Sequence, residues 1–328
     1  MATQIIEVPV DFGLTESGVY KPSGLRIAPR LLHEIVRNKL PNLNVTEAQI
    51  TVTHPQENSS SDNFLKFDDE LSLTYETAVI SLLAGGTNHF PIFLGGDHTT
   101  SLLTASLATS QLMPNAKLGA IVFDAHTDFN RPGPIAKFRS KIPLGHTLSG
   151  NAHGMIHALI GGLVDSKYRL ARFCKRHVKV DPSRIVLIGT RTKTYPSLAE
   201  VLNAVSPLII DSNSIHNASD DQLARLANMA LDRATSSGRE PFYLSFDFDV
   251  LDPAIFPWVS SPVEGGLTSE EASKMMLFIQ QLLRPSLLLA IDLVEFSPKK
   301  ASDTMPVTSH IVQSLLGLIA SDQRCRGK

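Results

Sequence analysis

The segment Leu118-Gly119-Ala120-Ile121-Val122-Phe123 carries no charge and runs straight into Asp124-Ala125-His126-Thr127-Asp128. A short apolar run of this kind reads as a strand buried on both faces. The arrangement occurs twice more: His89-Phe90-Pro91-Ile92-Phe93-Leu94 leads into Gly95-Gly96-Asp97-His98, and Phe242-Tyr243-Leu244-Ser245-Phe246 leads into Asp247-Phe248-Asp249. Further strands are predicted over 5–10, 184–188 and 286–291. Helices are predicted over 28–40, 70–84, 99–111, 220–235, 269–283 and 307–319, with Ser219 as one N-cap and Thr268, followed by Glu271, as another. Strands alternating with helices imply an α/β fold around a parallel sheet covered on both faces. In such sheets the site lies beyond the carboxyl ends of the strands.

All three strand ends carry metal-ligand residue types. In extended backbone, residues two apart point to one side, so Asp247 and Asp249 are expected to share a face. Asp124, His126 and Asp128 are expected to do the same if the strand geometry continues past Asp124. His98 adds an imidazole from a neighbouring strand end. Four carboxylates and two imidazoles exceed the three protein ligands of a catalytic zinc site. They suit two harder divalent ions, and Mn²⁺ fits so oxygen-rich a ligand set, with Ni²⁺ or Co²⁺ as alternatives. Left without a cation, these acids would repel each other and resist ionisation. Two adjacent metals lower the pKa of a shared water enough to supply hydroxide at neutral pH.

The bulk of the chain fits an intracellular enzyme. Its 328 residues are 43% hydrophobic and 19% charged, which excludes a disordered chain. Thirty Lys and Arg against 32 Asp and Glu leave a net charge of −2, which argues against nucleic acid or an anionic membrane as partner. The most apolar stretch, 282–294, is interrupted by Arg284, Pro285 and Asp292, so no segment is expected to cross a bilayer. Two cysteines, Cys174 and Cys325, make no disulfide framework, and the N-terminus has no secretory pattern. The expected compartment is the cytoplasm. No linker divides the chain, so residues 1–328 are read as one catalytic domain.

Taken together, Gly95-Gly96-Asp97-His98, Asp124-Ala125-His126-Thr127-Asp128 and Ser245-Phe246-Asp247-Phe248-Asp249 resemble the three signatures of the ureohydrolase superfamily of arginases, agmatinases and formimidoylglutamases. The resemblance runs from the first strand to the last helix. It implies a three-layer αβα sandwich around a mostly parallel sheet, and two Mn²⁺ ions held by His98, Asp124, His126, Asp128, Asp247 and Asp249. It also implies a homo-oligomer, a trimer or a hexamer. Ser149-Gly150-Asn151-Ala152-His153-Gly154 resembles the arginase segment whose histidine protonates the leaving amine, which puts His153 in that role. Asn130, Thr147 and Ser149 fall where arginases hold the substrate α-carboxylate. Glu295 matches the acid that receives the guanidinium, and Asp128 is expected to steady the tetrahedral intermediate.

The chain departs from the arginase pattern in three places. After the strand near Ile188, Gly189-Thr190-Arg191-Thr192-Lys193-Thr194 stands where arginases place acids for the α-ammonium group. Pro257-Trp258-Val259-Ser260-Ser261-Pro262 is closer to formimidoylglutamases, and Trp258 is either a ring that narrows the pocket or a packing residue. The stretch from Asn130 to His153 is longer than in arginases and holds Arg131, Lys137, Arg139 and Lys141 without an acid. It is either a solvated loop or an attractor of a substrate carboxylate.

The expected activity is hydrolysis of a guanidino C–N bond to urea and an amine, with L-arginine the leading substrate. Formimidoylglutamate, guanidinobutyrate, agmatine and guanidine are the alternatives. A non-catalytic regulatory protein on the same fold would have no use for four close carboxylates, and an amide-cleaving metal enzyme would not need Glu295.

Overall fold

The computed structural model describes residues 2–15, 19–39, 45–60, 65–86, 89–132, 150–192, 196–284, 286–299 and 305–326. Eight strands are β1 (Ala2–Val8), β2 (Val45–Gln49), β3 (His89–Gly95), β4 (Leu118–Phe123), β5 (Val180–Thr190), β6 (Leu208–Asp211), β7 (Phe242–Asp247) and β8 (Leu288–Val294). They form one sheet in the order β2-β1-β3-β8-β7-β4-β5-β6, and every pairing is parallel. The described helices are α1 (Ala28–Lys39), α2 (Asp68–Ala84), α3 (Ser101–Ser110), α4 (Ile156–Ile160), α5 (Arg169–His177), α6 (Pro196–Val205), α7 (Ser212–Ile215), α8 (Asp220–Thr235), α9 (Ser269–Leu282) and α10 (Met305–Arg326). None is long and apolar enough to cross a membrane.

Alternation along each strand sorts the core into two layers. Ile6, Val8, Ala120, Val122, Leu187 and Tyr243 face one side, packed with Leu71 and Tyr75 of α2, Leu102 of α3 and Phe173 of α5. Ile5, Ile121, Phe123, Val186, Ile188, Leu244 and Phe246 face the other, with Leu32 of α1, Ala227 and Ala234 of α8, Met275 of α9 and Ile311 of α10. The resulting helix–sheet–helix sandwich is the predicted architecture.

Both predicted caps are present. The Ser219 side chain accepts from the Gln222 backbone N–H while Gln222 returns the bond, and Thr268 and Glu271 do likewise for α9. Several elements lay outside the sequence reading. Strands β2 and β6 are short edge strands with half-exposed patterns, and helices α4 to α7 fill the stretches left unassigned. The helix expected over 99–111 begins two residues later, after a 3₁₀ turn at His98–Thr100 that Asp97 caps.

One glycine marks how tightly the far side of the sheet is closed. A Cβ on Gly119 would lie 2.0 Å from the carbonyl oxygen of Ala234, near the end of α8. That carbonyl is itself fixed by the Arg184 guanidinium, which donates to it from Nε at 3.0 Å and Nη2 at 2.6 Å. Gly119→Ala must therefore push the helix end off the sheet. The expected cost is about 1–3 kcal/mol, read as a lower urea midpoint at unchanged slope. An unmoved midpoint would show that this contact yields freely.

Candidate metal centre and substrate pocket

The three predicted strand ends meet at the carboxyl edge of β3, β7 and β4, with the end of β8 between β3 and β7. The six candidate ligands converge there, but not by the alternation expected of them. Strand β4 stops at Phe123, and Asp128 turns back toward Asp124 through a left-handed backbone (φ +46°). Asp249 lies in a 3₁₀ turn, Phe248–Val250, whose first N–H groups are capped by Asp247: Asp249 N donates to Asp247 Oδ1 at 2.8 Å. The carboxylates share a point because tight turns fold them inward. Neither Asp128 nor Asp249 continues the strand geometry.

Two three-residue groups result: His98 with Asp124 and Asp128, and His126 with Asp124 and Asp249, the ligand atoms of each within 4.8 Å of one another. Asp124 belongs to both. His98 Nδ1 lies 3.2 Å from Asp124 Oδ2, 3.0 Å from Asp128 Oδ2 and 3.2 Å from Asp247 Oδ2. His126 Nδ1 lies 2.9 Å from Asp249 Oδ2 and 3.5 Å from Asp124 Oδ1. His98 Nδ1 and Asp124 Oδ2 are wholly buried, yet neither has a hydrogen-bond partner of acceptable geometry. Buried polar atoms are rarely left so. Atoms converging on one point rather than along hydrogen-bond directions suit a cation between them, so the residues fit a metal.

The electrostatics agree. Burial pulls the His98 and His126 imidazoles down, but the surrounding carboxylates outweigh it and hold both well above the usual histidine range. Burial, together with the neighbouring acids, pushes Asp247 and Asp249 up. For Asp124 burial is overcome by the two imidazoles, which hold it below the usual range. Protons do here, in part, what divalent ions would do better.

His98 is oriented from behind. Ser245 Oγ lies 3.3 Å from its Nε2 and donates to Asp292 Oδ1, while Ser101 Oγ donates to Asp292 Oδ2 at 2.9 Å. Such partners fix the ring of a metal-binding histidine. In the sequence Asp292 registers only as a charge interrupting an apolar run. A charge inside a strand buried on both faces is the signal that could have found it.

Beside the metal groups, Glu295 sits just past β8 at φ +63° and is 1% exposed. Its N–H donates to Gly96 O at 2.8 Å, its Oε1 accepts from the His98 backbone N–H at 2.9 Å, and its Oε2 accepts from Ser260 Oγ. His153 Nδ1 stands 3.2 Å from Glu295 Oε1. Burial would raise Glu295, but the His153 imidazole, Ser260 and the His98 amide together hold it below the usual range. Burial likewise lowers His153, and the carboxylates of Glu295, Asp128 and Asp97 more than reverse this. The pair is pre-formed: an anionic acid facing a histidine disposed to carry a proton. Nothing in the local sequence around Ser260 signals this contact.

Asn130 lies next to this pair, its N–H donating to Gly154 O at 3.1 Å. Asp97, pushed up to about 7 by burial and by the charge of Glu295, accepts from the N–H groups of Gly13 (2.7 Å) and Thr99 (2.9 Å) and so fastens the 10–15 loop under His153. The Trp258 ring packs edge-on to Phe256 at 5.9 Å and its carbonyl accepts from Ser297 N at 2.7 Å. Thr147, Ser149, Lys137, Arg139, Lys141, Lys193 and Thr194 lie outside the described residues.

The family profile described as Arginase family matches residues 2–317. An arginase of Brucella melitensis biotype 1 is 29% identical over 338 residues, spanning 98% of each chain. One of Coccidioides posadasii is 31% identical over 235 residues, a match that covers 68% of this chain and 65% of that one. Among solved structures, the arginase of Bacillus caldovelox superposes with a TM-score of 0.75 at 24% identity, covering 97% of both chains.

Proposed function

The chain belongs to the arginase family, and on that premise we propose that it is a binuclear metal amidinohydrolase releasing urea from a guanidino compound, L-arginine first among them. The observation that carries this reading is the pair of ligand groups sharing Asp124, with the Glu295–His153 pair beside them. Asp247, 3.2 Å from His98 Nδ1, completes the ligand set. Two Mn²⁺ ions suit these donors, Ni²⁺ and Co²⁺ being the alternatives. When bound, the metals supply a hydroxide nucleophile at neutral pH.

The rest is done by side chains. Glu295, held at both oxygens by Ser260 and the His98 amide, presents a fixed carboxylate to a planar cation. Paired hydrogen bonds to it aim the guanidino carbon toward the ligand groups. An arriving guanidinium takes the place His153 occupies at Glu295, which releases the imidazolium to protonate the leaving nitrogen. Asp128, bent inward at φ +46°, steadies the tetrahedral intermediate. Asn130, with Thr147 and Ser149, receives the far carboxylate of the substrate.

A second reading of the substrate is favoured by the end of β5. Thr190, Arg191 and Thr192 carry no acid for an α-ammonium group, so a guanidino acid lacking that group, such as 4-guanidinobutyrate, or formimidoylglutamate comes next. The protein is taken to work in the cytoplasm as a homo-oligomer, a trimer or hexamer, which sedimentation will check.

The test is urea release by Mn²⁺-loaded protein from L-arginine, agmatine, 4-guanidinobutyrate and guanidine, with formimidoylglutamate assayed for formamide. One compound is expected to turn over, with Glu295→Gln reducing its kcat/KM about 10²–10³-fold. Silence across the panel from metal-loaded protein would overturn the proposal.

A further inference from the structure

The end of β5 has work of its own. Gly189, at φ +88°, bends the strand so closely beneath the 248–250 turn that a Cβ there would meet Val250 Cγ2 at 2.4 Å. The next two residues then bind both ligand-bearing segments of one metal group. Thr190 Oγ1 donates to the carbonyls of Asp124 (3.3 Å) and His126 (3.4 Å), and Arg191 N donates to Ala125 O at 3.0 Å. The Arg191 guanidinium reaches the other segment, donating to Asp249 O at 2.7 Å, Val250 O at 3.2 Å and Leu251 O at 3.3 Å. The same guanidinium also donates to Gly189 O (3.2 Å), Val263 O (2.7 Å) and Glu264 O (3.2 Å).

A guanidinium is suited to this because its donors form a rigid planar fork with no acceptor. Every hydrogen bond it makes here is to a backbone carbonyl. The bonds converge on the backbone of Asp124, Ala125, His126 and Asp249, and among the described residues none from Thr190 or Arg191 runs to His98 or Asp128 themselves.

We propose that Thr190 and Arg191 form a clasp that sets the Asp124–His126–Asp249 group before metal arrives, making Arg191 a positioning residue for one metal position of the two. The inference rests on the two-metal reading. It also explains how this strand end can lack acids: the guanidinium standing there is engaged with backbone carbonyls.

Titration of metal-free protein with Mn²⁺, followed by calorimetry and by the paramagnetic signal of the bound ions, separates the two positions. Wild type is expected to take two equivalents. A wild type that takes one overturns the two-metal reading, and with it the clasp, before any variant is made. Arg191→Met is expected to keep the first equivalent within about threefold and to weaken the second about 10–100-fold. Equal weakening of both equivalents, or of neither, overturns the clasp. Arg191→Lys keeps the charge and loses the fork, so it should resemble Arg191→Met; wild-type binding in that variant would overturn the geometric argument. If Arg191→Met does not fold, Thr190→Val carries the test, with the second equivalent weakened severalfold and the first unchanged. An unchanged second equivalent there would sink the idea.

Discussion

Asp124→Asn is expected to reduce urea release by at least about 10³-fold, equivalent to roughly 4 kcal/mol of lost transition-state stabilisation. The reason lies in its position: among the described residues Asp124 alone belongs to both ligand groups. It is fully buried, and its Oδ2 finds no hydrogen-bond partner while Oδ1 accepts from the His126 N–H at 2.6 Å. Asparagine keeps the shape and that amide contact, so the fold should persist, but it removes the charge both positions share. Metal analysis should therefore find both equivalents lost. Asp249→Asn touches only one group and should retain about one equivalent. If Asp124→Asn kept one metal and Asp249→Asn lost two, the assignment of the shared ligand would be wrong.

This contrast was only partly legible in the chain. Local signals carried well: Ser219 with Gln222 and Thr268 with Glu271 cap helices where the sequence placed them, because capping is decided within four residues. The apolar runs of β3, β4 and β7, the last uncharged up to Asp247, were equally plain, and they put the ligand residues at one edge of the sheet. What failed was reasoning about direction beyond a strand end. The left-handed turn at Asp128 and the 3₁₀ turn at Asp249 are set by tertiary contacts, among them His157 N donating to Asp128 O at 2.9 Å and the Arg191 bonds under Asp249. Strand β2 is a half-exposed edge strand without an apolar run, and β6, the other edge, offers only the three apolar residues Leu208-Ile209-Ile210, too short a run to mark a strand. The supports of Glu295 and His98, Ser260 and Asp292, come from distant parts of the chain, where spacing carries no information.

Removing the metals should give the second large effect, one whose size depends on pH. In the metal-free site His98 and His126 are held well above 6.5, so the folded chain keeps protons that the unfolded chain releases. That contribution to stability is complete below about pH 6.5 and is lost as pH rises through the folded values. Asp247 and Asp249, pushed above 3.8, act in the same direction: they hold protons in the fold that the unfolded chain has given up. Asp124, held below 3.8, has the opposite sign, but its contribution is already complete at neutral pH. His153, raised by Glu295, adds to the loss, as does the more exposed His216, raised by Glu271. Buried His157 is lowered and matters only on the acid side of the window.

Metal binding expels these protons, so affinity should climb over the same range. Chelator-treated protein is thus expected to be less stable at pH 9 than at pH 6, while Mn²⁺-saturated protein holds or gains. At a thousandfold excess over Kd each bound ion contributes about 4 kcal/mol, so the gap between the two preparations should widen with pH to several kcal/mol. Urea unfolding at pH 6, 7.5 and 9 with and without Mn²⁺ reads it directly, and His216→Gln subtracts the pair that lies outside the site. A gap that narrowed toward pH 9 would mean that the buried acids and imidazoles are not holding the protons the metals displace.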